Sequence, residues 1–484
     1  MRPQNSETQW DAPTGLVCTV AIRSAKLTAI MKEAQVPEEP TQQLSKFAAQ
    51  TDLSSLSDDV RQSTKALLSD ALACALAGHR GEETHQLLAV TQAMGSSEES
   101  SVIGGDRLSL AGATMMNGYL VTAVTMCDVH RATLTHITPE VVPPALAIAE
   151  RDDLSGADLL TAIAVGSEVA TRVGLGLDYP VFRSKGWHGP GVIGPFGAAA
   201  AVGNLRRFDA DTMARAFGLA GSQSAGTFAA WGTPTVKFHQ CRAALSGLMA
   251  ALLAEQDFVA NKEFLTTEDG GLYNTYADGG LPDLATGDLG DRWELQRIAL
   301  RLWPSATALQ EVITALYNIV QTHEVTFENI AQVRLKLSET PFRMHGGFST
   351  YAAKFEALLS AHYVAGVYLR DRTVTLEQFE SACYDDPVLR RFAAEQVTIL
   401  HDDSLSNGQA VAEIDTKSGE NLTARCDHPL GAPENPLSSD QVDGKLRTCA
   451  AYRLSDNRVD ELIDVVNDIE SLDSVRELMS LMRQ

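Results

Sequence analysis

The stretch Ala66-Leu-Leu-Ser-Asp-Ala-Leu-Ala-Cys-Ala-Leu-Ala-Gly78 decides the fold class. It is almost wholly apolar, its small side chains let neighbouring helices approach closely, and Gly78 is a residue type at which helices often close. We therefore place it inside a large bundle and predict that residues 41–290 form an all-α helical domain. Other helical patterns, many of them rich in Ala and Gly, cover residues 44–49, 60–76, 111–126, 141–151, 157–173, 194–204, 210–220 and 243–253.

The pattern of apolar and polar residues changes after Asp269-Gly-Gly271. Alternating apolar and polar residues at Val333–Leu337 and Val411–Asp415 are typical of strands. The second of these stretches is followed by Lys417-Ser-Gly-Glu420, a turn composition, and then by a short alternating stretch at 422–425. This arrangement predicts a β-hairpin in the second half of the chain.

The length of the chain favours two domains, because 484 residues exceed what one hydrophobic core usually supports. Helical patterns at residues 306–321 and 354–369 separate the strands. We therefore predict a smaller α+β domain over residues 291–436, and C-terminal helices over 437–484 that return to the helical domain. Residues 1–40 have no apolar signal core, and we interpret them as a variable or disordered extension.

Composition argues against several classes of function. Lys and Arg total 39 against 62 Asp and Glu, and the formal charge of −23 repels nucleic acid and anionic membranes. No charge-free apolar run reaches the roughly 20 residues that span a bilayer. Seven scattered cysteines, an odd number, favour reduced thiols in the cytoplasm. Because neither metal-ligand spacing nor a nucleotide-binding glycine motif is present, we expect no metal and no cofactor.

A cationic cluster stands where a buried helix is predicted to begin. In Gly232-Thr-Pro-Thr-Val-Lys-Phe-His-Gln-Cys-Arg-Ala-Ala-Leu-Ser-Gly247, the residues Lys237, His239 and Arg242 fall within one or two helical turns. A helix start, a lysine and an arginine bind small anions, and an imidazole beside them can move a proton near neutral pH. The cluster predicts a carboxylate site, although the same residues are also typical of a capped, solvated helix end.

Two further segments place functional side chains in short junctions between apolar helices. Asp128, His130 and His136 share one junction, and His188 lies in a glycine-rich turn that opens an Ala-rich helix. Such junctions often carry chemistry, and glycine lets the backbone approach a ligand. His188 is the best single candidate for an acid or a base. Taken one at a time, these histidines are more typical of caps or of hydrogen-bonded loop residues.

Seven segments, in this order, resemble the MmgE/PrpD family, which includes 2-methylcitrate dehydratase, cis-aconitate decarboxylase and iminodisuccinate epimerase. The resemblance covers about residues 43–480. It implies a large helical domain with a smaller α+β lid, an active site between the two, and a homodimer. The segments are residues 66–78, 116–118, 128–136, 186–188 with 196–200, 237–247, 354–355 and 429–437.

The helical domain departs from the family's pattern at two places. The family often shows an Asp-x-Asp-Asp run where this chain has Thr125-Met-Cys-Asp128, so only the last acid remains. The family's lysine also stands three residues before its histidine, whereas Lys237 stands two before His239. Both departures bear on how a substrate would be held.

The lid departs at a third place. A Lys-x-Tyr-Pro-x-Cys or His pattern followed by another histidine becomes Arg301-Leu-Trp-Pro-Ser-Ala306, with Gln310 in the last position. Arg301 keeps the positive charge but cannot give up a proton, and Ala306 can do no acid–base work. The lid of this chain therefore lacks acid–base groups that the resemblance leads us to expect.

The resemblance implies reactions that move a proton or a leaving group beside a carboxylate, without a cofactor. Cationic side chains would hold a small polycarboxylate and stabilise an enediolate. His188 or His136 would abstract the α-proton, and other groups would protonate a departing hydroxyl or a carbanion; the sequence leaves base and acid unassigned. The catalytic candidates are His188, His136, Lys237, Asp128, His130 and His239, and the substrate-binding candidates are Arg242, Arg301, Thr125 and Gln310.

Four functions follow, in order of preference. The first is a dehydratase of a citrate-like, 2-methylcitrate-type tricarboxylic acid that loses hydroxide after α-proton abstraction. The second is an epimerase or racemase of a small dicarboxylate, which needs no leaving group. A cis-aconitate-type decarboxylase ranks third because Ala306 stands where some decarboxylating members have histidine. The fourth is a carboxylate-binding relative that has lost catalysis through its changes at Thr125, Arg301 and Ala306.

Overall fold

The structure is a computed structural model that describes residues 38–483. The predicted extension over residues 1–40 lies outside the described residues except for its last three positions, where Glu39 caps the first helix. The predicted fold class is confirmed, because a large helical domain is followed by a smaller α+β domain.

The helical domain is built from helices of unequal length and two short strand pairs. Its strands are β1 (Ser100–Ser101) paired with β2 (Arg107–Leu108), and β3 (Val129–His130) paired with β4 (Ile298–Ala299). Its helices are α1 (Pro40–Gln50), α2 (Asp58–Gly78), α3 (Thr84–Gln92), α4 (Leu110–Thr122), α5 (Thr138–Asp152), α6 (Gly156–Gly176), α7 (Tyr179–Ser184), α8 (Gly189–Leu205), α9 (Ala210–Gly221), α10 (Thr235–Glu255), α11 (Leu272–Ala277) and α12 (Pro282–Thr286).

Helix α2 shows why the stretch over 66–78 is rich in small residues. Every residue from Leu67 to Gly78 is buried, and the helix packs against α4. A Cβ atom on Gly78 would lie 2.1 Å from the carbonyl oxygen of Leu120. The helix does end at Gly78, as predicted, but the residue after it, His79, keeps right-handed helical backbone. Glycine is needed there for close packing rather than for a left-handed turn.

Helix α8 lies at the centre of the bundle, and all of its residues are buried. It packs against α6 and α10. Glycines mark the contacts: a Cβ on Gly197 would lie 2.7 Å from the carbonyl oxygen of Gly166, and one on Gly247 would lie 2.3 Å from the Cβ of Ala198. This close packing fixes the start of α8 relative to α10 and α5, where the candidate site lies.

Within the described residues, one helix is long and apolar enough to cross a membrane, α6 at Gly156–Gly176. Its most apolar window is 94% buried inside the protein. It packs against α2, α5, α8 and α12. Such burial is typical of the core helix of a bundle.

The α+β domain contains a four-stranded sheet in the order β6 (Val397–His401), β5 (Ile330–Leu337), β7 (Ala410–Thr416) and β8 (Asn421–Cys426). β5 and β6 are parallel, and the other neighbours are antiparallel. The predicted strands and the predicted hairpin are confirmed in β5, β7 and β8, with Gly419 at φ +92° in the turn. β6 escaped prediction because its five residues carry too short a pattern.

The helices of this domain pack on the sheet around a second hydrophobic core. The helical pattern at 354–369 proves to be two helices, because Ser360 begins a new one by accepting a hydrogen bond from the Tyr363 backbone N–H at 3.0 Å. The helices are α13 (Thr307–Thr322), α14 (Glu339–His345), α15 (Lys354–Leu359), α16 (Ala361–Asp371), α17 (Ser381–Tyr384) and α18 (Pro387–Glu395).

The chain ends in three helices, α19 (Ser439–Ala450), α20 (Asp456–Asn467) and α21 (Val475–Met482). Their apolar side chains belong to the hydrophobic core of the helical domain, with α19 packed on α2 and α21 on α5. The last segment therefore crosses back from the α+β domain to the bundle.

We predict that Gly78→Ala lowers the melting temperature. The added methyl group would overlap the Leu120 carbonyl, and overpacking costs about 1–3 kcal/mol, more than the roughly 1 kcal/mol that Ala gains over Gly in a helix. The matched control is Gly444→Ala in α19, where a Cβ meets no atom within 4 Å. That control should melt at or above the wild-type temperature. Equal melting temperatures for Gly78→Ala and wild type would contradict the packing described.

Candidate active site

Residues 126–128 lie between α4 and α5, and each of their backbone carbonyls accepts a hydrogen bond from an ammonium, guanidinium or imidazole group. The donors come from the C-terminal helix α19, from the start of the α+β domain and from the end of the junction itself. They are Lys445 Nζ to Met126 at 2.8 Å, Arg301 Nε to Cys127 at 2.6 Å, and His136 Nδ1 to Asp128 at 2.6 Å.

Asp128 caps the start of α5. Its carboxylate accepts hydrogen bonds from the backbone N–H groups of Ile137 at 2.9 Å and Thr138 at 3.0 Å, and from the Thr138 hydroxyl. Burial raises the pKa of Asp128 to about 6, against the lowering effect of the bonds from Thr138. The structure thus places this predicted residue as a support for the turn that carries His136.

The tautomer of His136 follows from its partner. A carbonyl oxygen can only accept, so Nδ1 carries the hydrogen and Nε2 keeps a lone pair. Within the described residues, Nε2 makes no hydrogen bond. Burial, together with the positive charge of Arg301, lowers the pKa of His136 to about 3. At neutral pH the ring is therefore a neutral imidazole with an unprotonated Nε2.

His188 and His239 form a pair, with their Nδ1 atoms 3.0 Å apart. One Nδ1 must donate and the other accept, so one ring presents a basic Nε2 and the other presents an Nε2–H donor. Burial, then the proximity of His239 and His136, lowers the pKa of His188 to about 3, and burial also lowers the pKa of His239. The pair therefore offers one proton acceptor and one proton donor at neutral pH.

Glycines bring the pair and the junction together. His188 immediately precedes α8, and a Cβ on the next residue, Gly189, would lie 2.4 Å from the Thr135 hydroxyl oxygen. On the other side, Gly226 has φ +135°, and a Cβ there would lie 3.1 Å from Nδ1 of His239. The structure thus unites three predicted residues, His136, His188 and His239, in one cluster.

Lys237 does not join this cluster. Residues two positions apart on an α-helix point about 200° apart, so Lys237 and His239 leave opposite sides of α10. Lys237 Nζ donates to Glu83 at 3.1 Å, and the buried Tyr119 hydroxyl donates to the same carboxylate oxygen at 2.9 Å. Val236 occupies the position three residues before the histidine, where the family pattern has lysine.

The Arg242 side chain is hydrogen-bonded to backbone carbonyls. Its guanidinium donates to the carbonyl oxygens of Gln223 at 2.9 Å, Ala225 at 2.9 Å and Gly191 at 3.0 Å. These bonds tie the loop before α10 to the first turn of α8. The structure therefore places Arg242 as a brace of the cluster, with most of its donors already used.

Two predicted lid residues brace the segment before α13. Arg301, besides its bond to Cys127, donates to the carbonyl oxygen of Ser305 at 3.1 Å. The amide of Gln310 donates to the carbonyl oxygen of Trp303 at 3.0 Å and to the Ser305 hydroxyl at 2.8 Å. Both side chains are buried. Arg301 acts on the cluster through its charge near His136.

Two other predicted residues lie in the junction between α4 and α5. His130 is buried, with Nδ1 2.9 Å from the Thr133 hydroxyl and Nε2 3.1 Å from Glu294, so both ring nitrogens have partners. It lines a cavity of about 600 Å³ whose arginines are already paired with acids. Thr125 is partly exposed and has φ +57°, a left-handed conformation that is strained for a β-branched residue.

Sequence reasoning missed two ionisable residues near the cluster. Glu140 is buried one turn after His136, its two carboxyl oxygens have no partner among the described residues, and burial raises its pKa well above the usual value. Arg183 has its guanidinium carbon 3.3 Å from the ring centre of Phe228. Glu140 follows a proline at a helix start, and Arg183 follows an aromatic residue near a turn. Neither position belongs to a sequence motif that indicates function. Among the described residues, no group of three or more His, Cys, Asp or Glu could hold a metal ion.

Comparison with known proteins identifies both halves of the chain. Residues 42–284 match the MmgE/PrpD N-terminal domain and residues 303–470 match the MmgE/PrpD C-terminal domain. A cis-aconitate decarboxylase-like protein, oryM, of Aspergillus oryzae is 27% identical over 470 residues, covering 91% of this chain and 96% of the relative. Human cis-aconitate decarboxylase is 27% identical over 448 residues, covering 88% of this chain and 91% of the relative.

We predict that Lys445→Met lowers the free energy of unfolding by about 3–5 kcal/mol, as expected when one partner of a buried ion pair is removed. Lys445 is 5% exposed and donates to Asp70 at 2.5 Å, besides the carbonyls of Met126 and Arg301. Urea unfolding at pH 7 measures the change. The control is Lys262→Met, which breaks an exposed ion pair with Asp211 and should cost under about 1 kcal/mol.

We also predict a pH dependence of stability from the histidine cluster. Between about pH 6.5 and pH 3, the unfolded chain binds protons on His136 and His188 that the folded chain leaves off, so stability should fall as the pH falls. Urea unfolding across this range should show a shallower dependence for the double variant His136→Gln/His188→Gln. Identical dependences in the two proteins would contradict the neutral cluster.

Proposed function

The chain belongs to the MmgE/PrpD family, and we propose that within it the protein is a cofactor-independent lyase that removes water from a citrate-like tricarboxylate. One observation carries the proposal. His136 uses Nδ1–H on the Asp128 carbonyl and keeps a basic Nε2, close to a histidine pair that offers one further acceptor and one donor. Elimination of water needs one group to take a proton and another to give one.

The chemistry follows from these groups. A neutral imidazole, at His136 or at the basic member of the His188–His239 pair, takes the α-proton of the substrate. The electron pair of that C–H bond forms the C=C bond as the C–O bond breaks. When the basic ring of the pair takes the α-proton, it passes its Nδ1–H to the other ring, whose Nε2–H protonates the departing hydroxyl to give water, so both rings end neutral. The positive charge of Arg301 near His136 supports the negative charge that develops on the carboxylate.

A second candidate is loss of CO₂, because the relatives compared above are named cis-aconitate decarboxylase or cis-aconitate decarboxylase-like. In that reaction the C–C bond breaks, CO₂ leaves, and the electron pair of that bond stays on the carbon. The Nε2–H donor of the pair protonates this carbon, and the ring regains a proton from water. The same class of substrate serves both reactions. No observation favours the epimerase over these lyases, and the cytoplasmic setting and the homodimer stay predictions.

Proton NMR in heavy water tests the proposal. The purified protein is incubated with citrate, 2-methylcitrate, cis- and trans-aconitate and chiral dicarboxylates. We expect vinyl signals to appear from a hydroxy acid, or to be consumed by hydration of an unsaturated acid. Formation of CO₂ from cis-aconitate would favour the second candidate. Deuterium entering an α-position without a new product would contradict both lyase reactions.

We predict that His136→Gln and His188→Gln each lower kcat by a factor of about 10² or more, because each removes a proton-transferring imidazole while keeping a polar side chain. The matched control is His362→Gln in α16, another buried histidine with a pKa lowered to about 4. It should keep wild-type kcat. Thermal melting of all three variants separates loss of chemistry from loss of fold, and full activity in either cluster variant would remove that histidine from the mechanism.

A further inference from the structure

The cations predicted to hold carboxylates are already occupied. Each has partners that a substrate would have to displace or share. Lys237 is bonded to Glu83, Arg242 to three backbone carbonyls, and Arg301 to the carbonyls of Cys127 and Ser305. A tricarboxylate brings three negative charges. A cation near the histidine cluster that has no such partners would bind one of the carboxylates without displacing any of them.

Arg183 is a cation that lies near the histidine cluster. It lies in α7, five residues before His188, with its guanidinium carbon 3.3 Å from the ring centre of Phe228. The ring centre of Phe228 is in turn 6.0 Å from that of His188, with an angle of 63° between the planes. One aromatic ring thus carries the guanidinium on its face and has the histidine as a neighbour.

The Phe228 ring is held in place by backbone hydrogen bonds. The Phe228 N–H donates to the carbonyl oxygen of Gly186 at 2.7 Å, and Thr227 forms a β-bridge with Trp187. Phe228 also stacks on Trp231, with 8° between the ring planes. These contacts join the segment before His188 to the loop before α10, so the platform under Arg183 is fixed before any ligand binds.

The guanidinium of Arg183 is free to bind an anion. Among residues 38–483 it makes no hydrogen bond and no ion pair, and the side chain is partly buried. A guanidinium stacked on a ring keeps the N–H donors in its own plane available, in a fork that matches a carboxylate. Its charge contributes to the lowered pKa of His188, as expected for a nearby cation.

We infer that Arg183, held on Phe228, binds a carboxylate of the substrate beside His188 and so contributes to selection for polycarboxylates. The inference rests on the proposed function for the identity of the substrate. Binding there breaks no existing ion pair, in contrast to binding at Lys237. The bound carboxylate would orient the substrate carbon chain towards the His188–His239 pair.

Binding of tricarballylate, a saturated tricarboxylate with no hydroxyl to eliminate, tests this role without turnover. Isothermal titration compares wild type with Arg183→Gln, Arg183→Lys and the control Lys185→Gln, whose ammonium pairs with the exposed Asp278 in the same region. We expect Arg183→Gln to weaken binding about 10- to 100-fold, as for loss of a hydrogen-bonded charge, and Arg183→Lys to recover only part of it. Lys185→Gln should bind as wild type does.

Two further readouts separate this role from a structural one. NMR titration of the His188 ring should give a higher pKa in Arg183→Gln than in wild type, because a neighbouring positive charge is gone. Phe228→Leu keeps the charge but removes the ring, and it should weaken tricarballylate binding less than Arg183→Gln does. Thermal melting confirms that each variant is folded.

The outcomes distinguish this inference from the proposed function. If wild type turns over no acid in the panel but binds tricarballylate, and Arg183→Gln loses that binding, Arg183 keeps its role and the lyase proposal falls. If wild type is active and Arg183→Gln has the wild-type KM and tricarballylate affinity, the role of Arg183 is overturned. If wild type neither binds nor turns over any of these acids, both are overturned.

Discussion

The site depends on three consecutive backbone carbonyls, those of residues 126–128, each of which accepts a hydrogen bond from a side chain. Buried carbonyls need partners, and these partners come from three distant parts of the chain. Lys445 arrives with the C-terminal helix α19, Arg301 with the segment that leads into the α+β domain, and His136 with the turn before α5. One short stretch of backbone therefore fixes the positions of helix α19, the α+β domain and the proposed base His136 relative to one another.

This arrangement also bears on how a protein of formal charge −23 would hold the anion proposed as its substrate. Two cations near the cluster, the buried Arg301 and the partly buried Arg242, are held by carbonyl oxygens, which carry no net charge, so their positive charge is not cancelled. Arg301 and Arg242 both follow this rule, while Lys237 has a carboxylate partner. Burial is the main cause of the lowered pKa of His136 and His188, and the charge of Arg301 lowers the pKa of His136 further, so both rings are neutral at pH 7.

The fold was largely predictable because its signals are local. The helical pattern at 66–78 and the alternation of apolar and polar residues at 333–337 and 411–415 depend only on neighbours in the sequence. Both patterns correctly predicted the helix and the two strands. The site was only partly predictable. Lys237 and His239 stand two positions apart in one motif, so they point to opposite sides of α10, and only one of them reaches the cluster.

The other residues whose roles the sequence did not reveal have partners far away along the chain. Arg242 is bound by carbonyls that no side-chain pattern reveals, and Glu83 lies 154 residues before the lysine that it pairs with. Arg183 has no motif of its own, and its relevance comes from a ring 45 positions later that is brought back beside His188. Contacts of this kind join segments that are far apart in the sequence, and the sequence alone leaves the packing that unites them undetermined.

The most direct measurement is the long-range ¹H–¹⁵N NMR spectrum of the histidine side chains at pH 7, with the His136 ring assigned by its loss in His136→Gln. The structure requires a neutral ring with its hydrogen on Nδ1, because that atom bonds to the Asp128 carbonyl. The ¹⁵N shifts should therefore show a protonated Nδ1 and an unprotonated Nε2. A ring protonated on both nitrogens, or a neutral ring with its hydrogen on Nε2, would contradict the account of how this site is built.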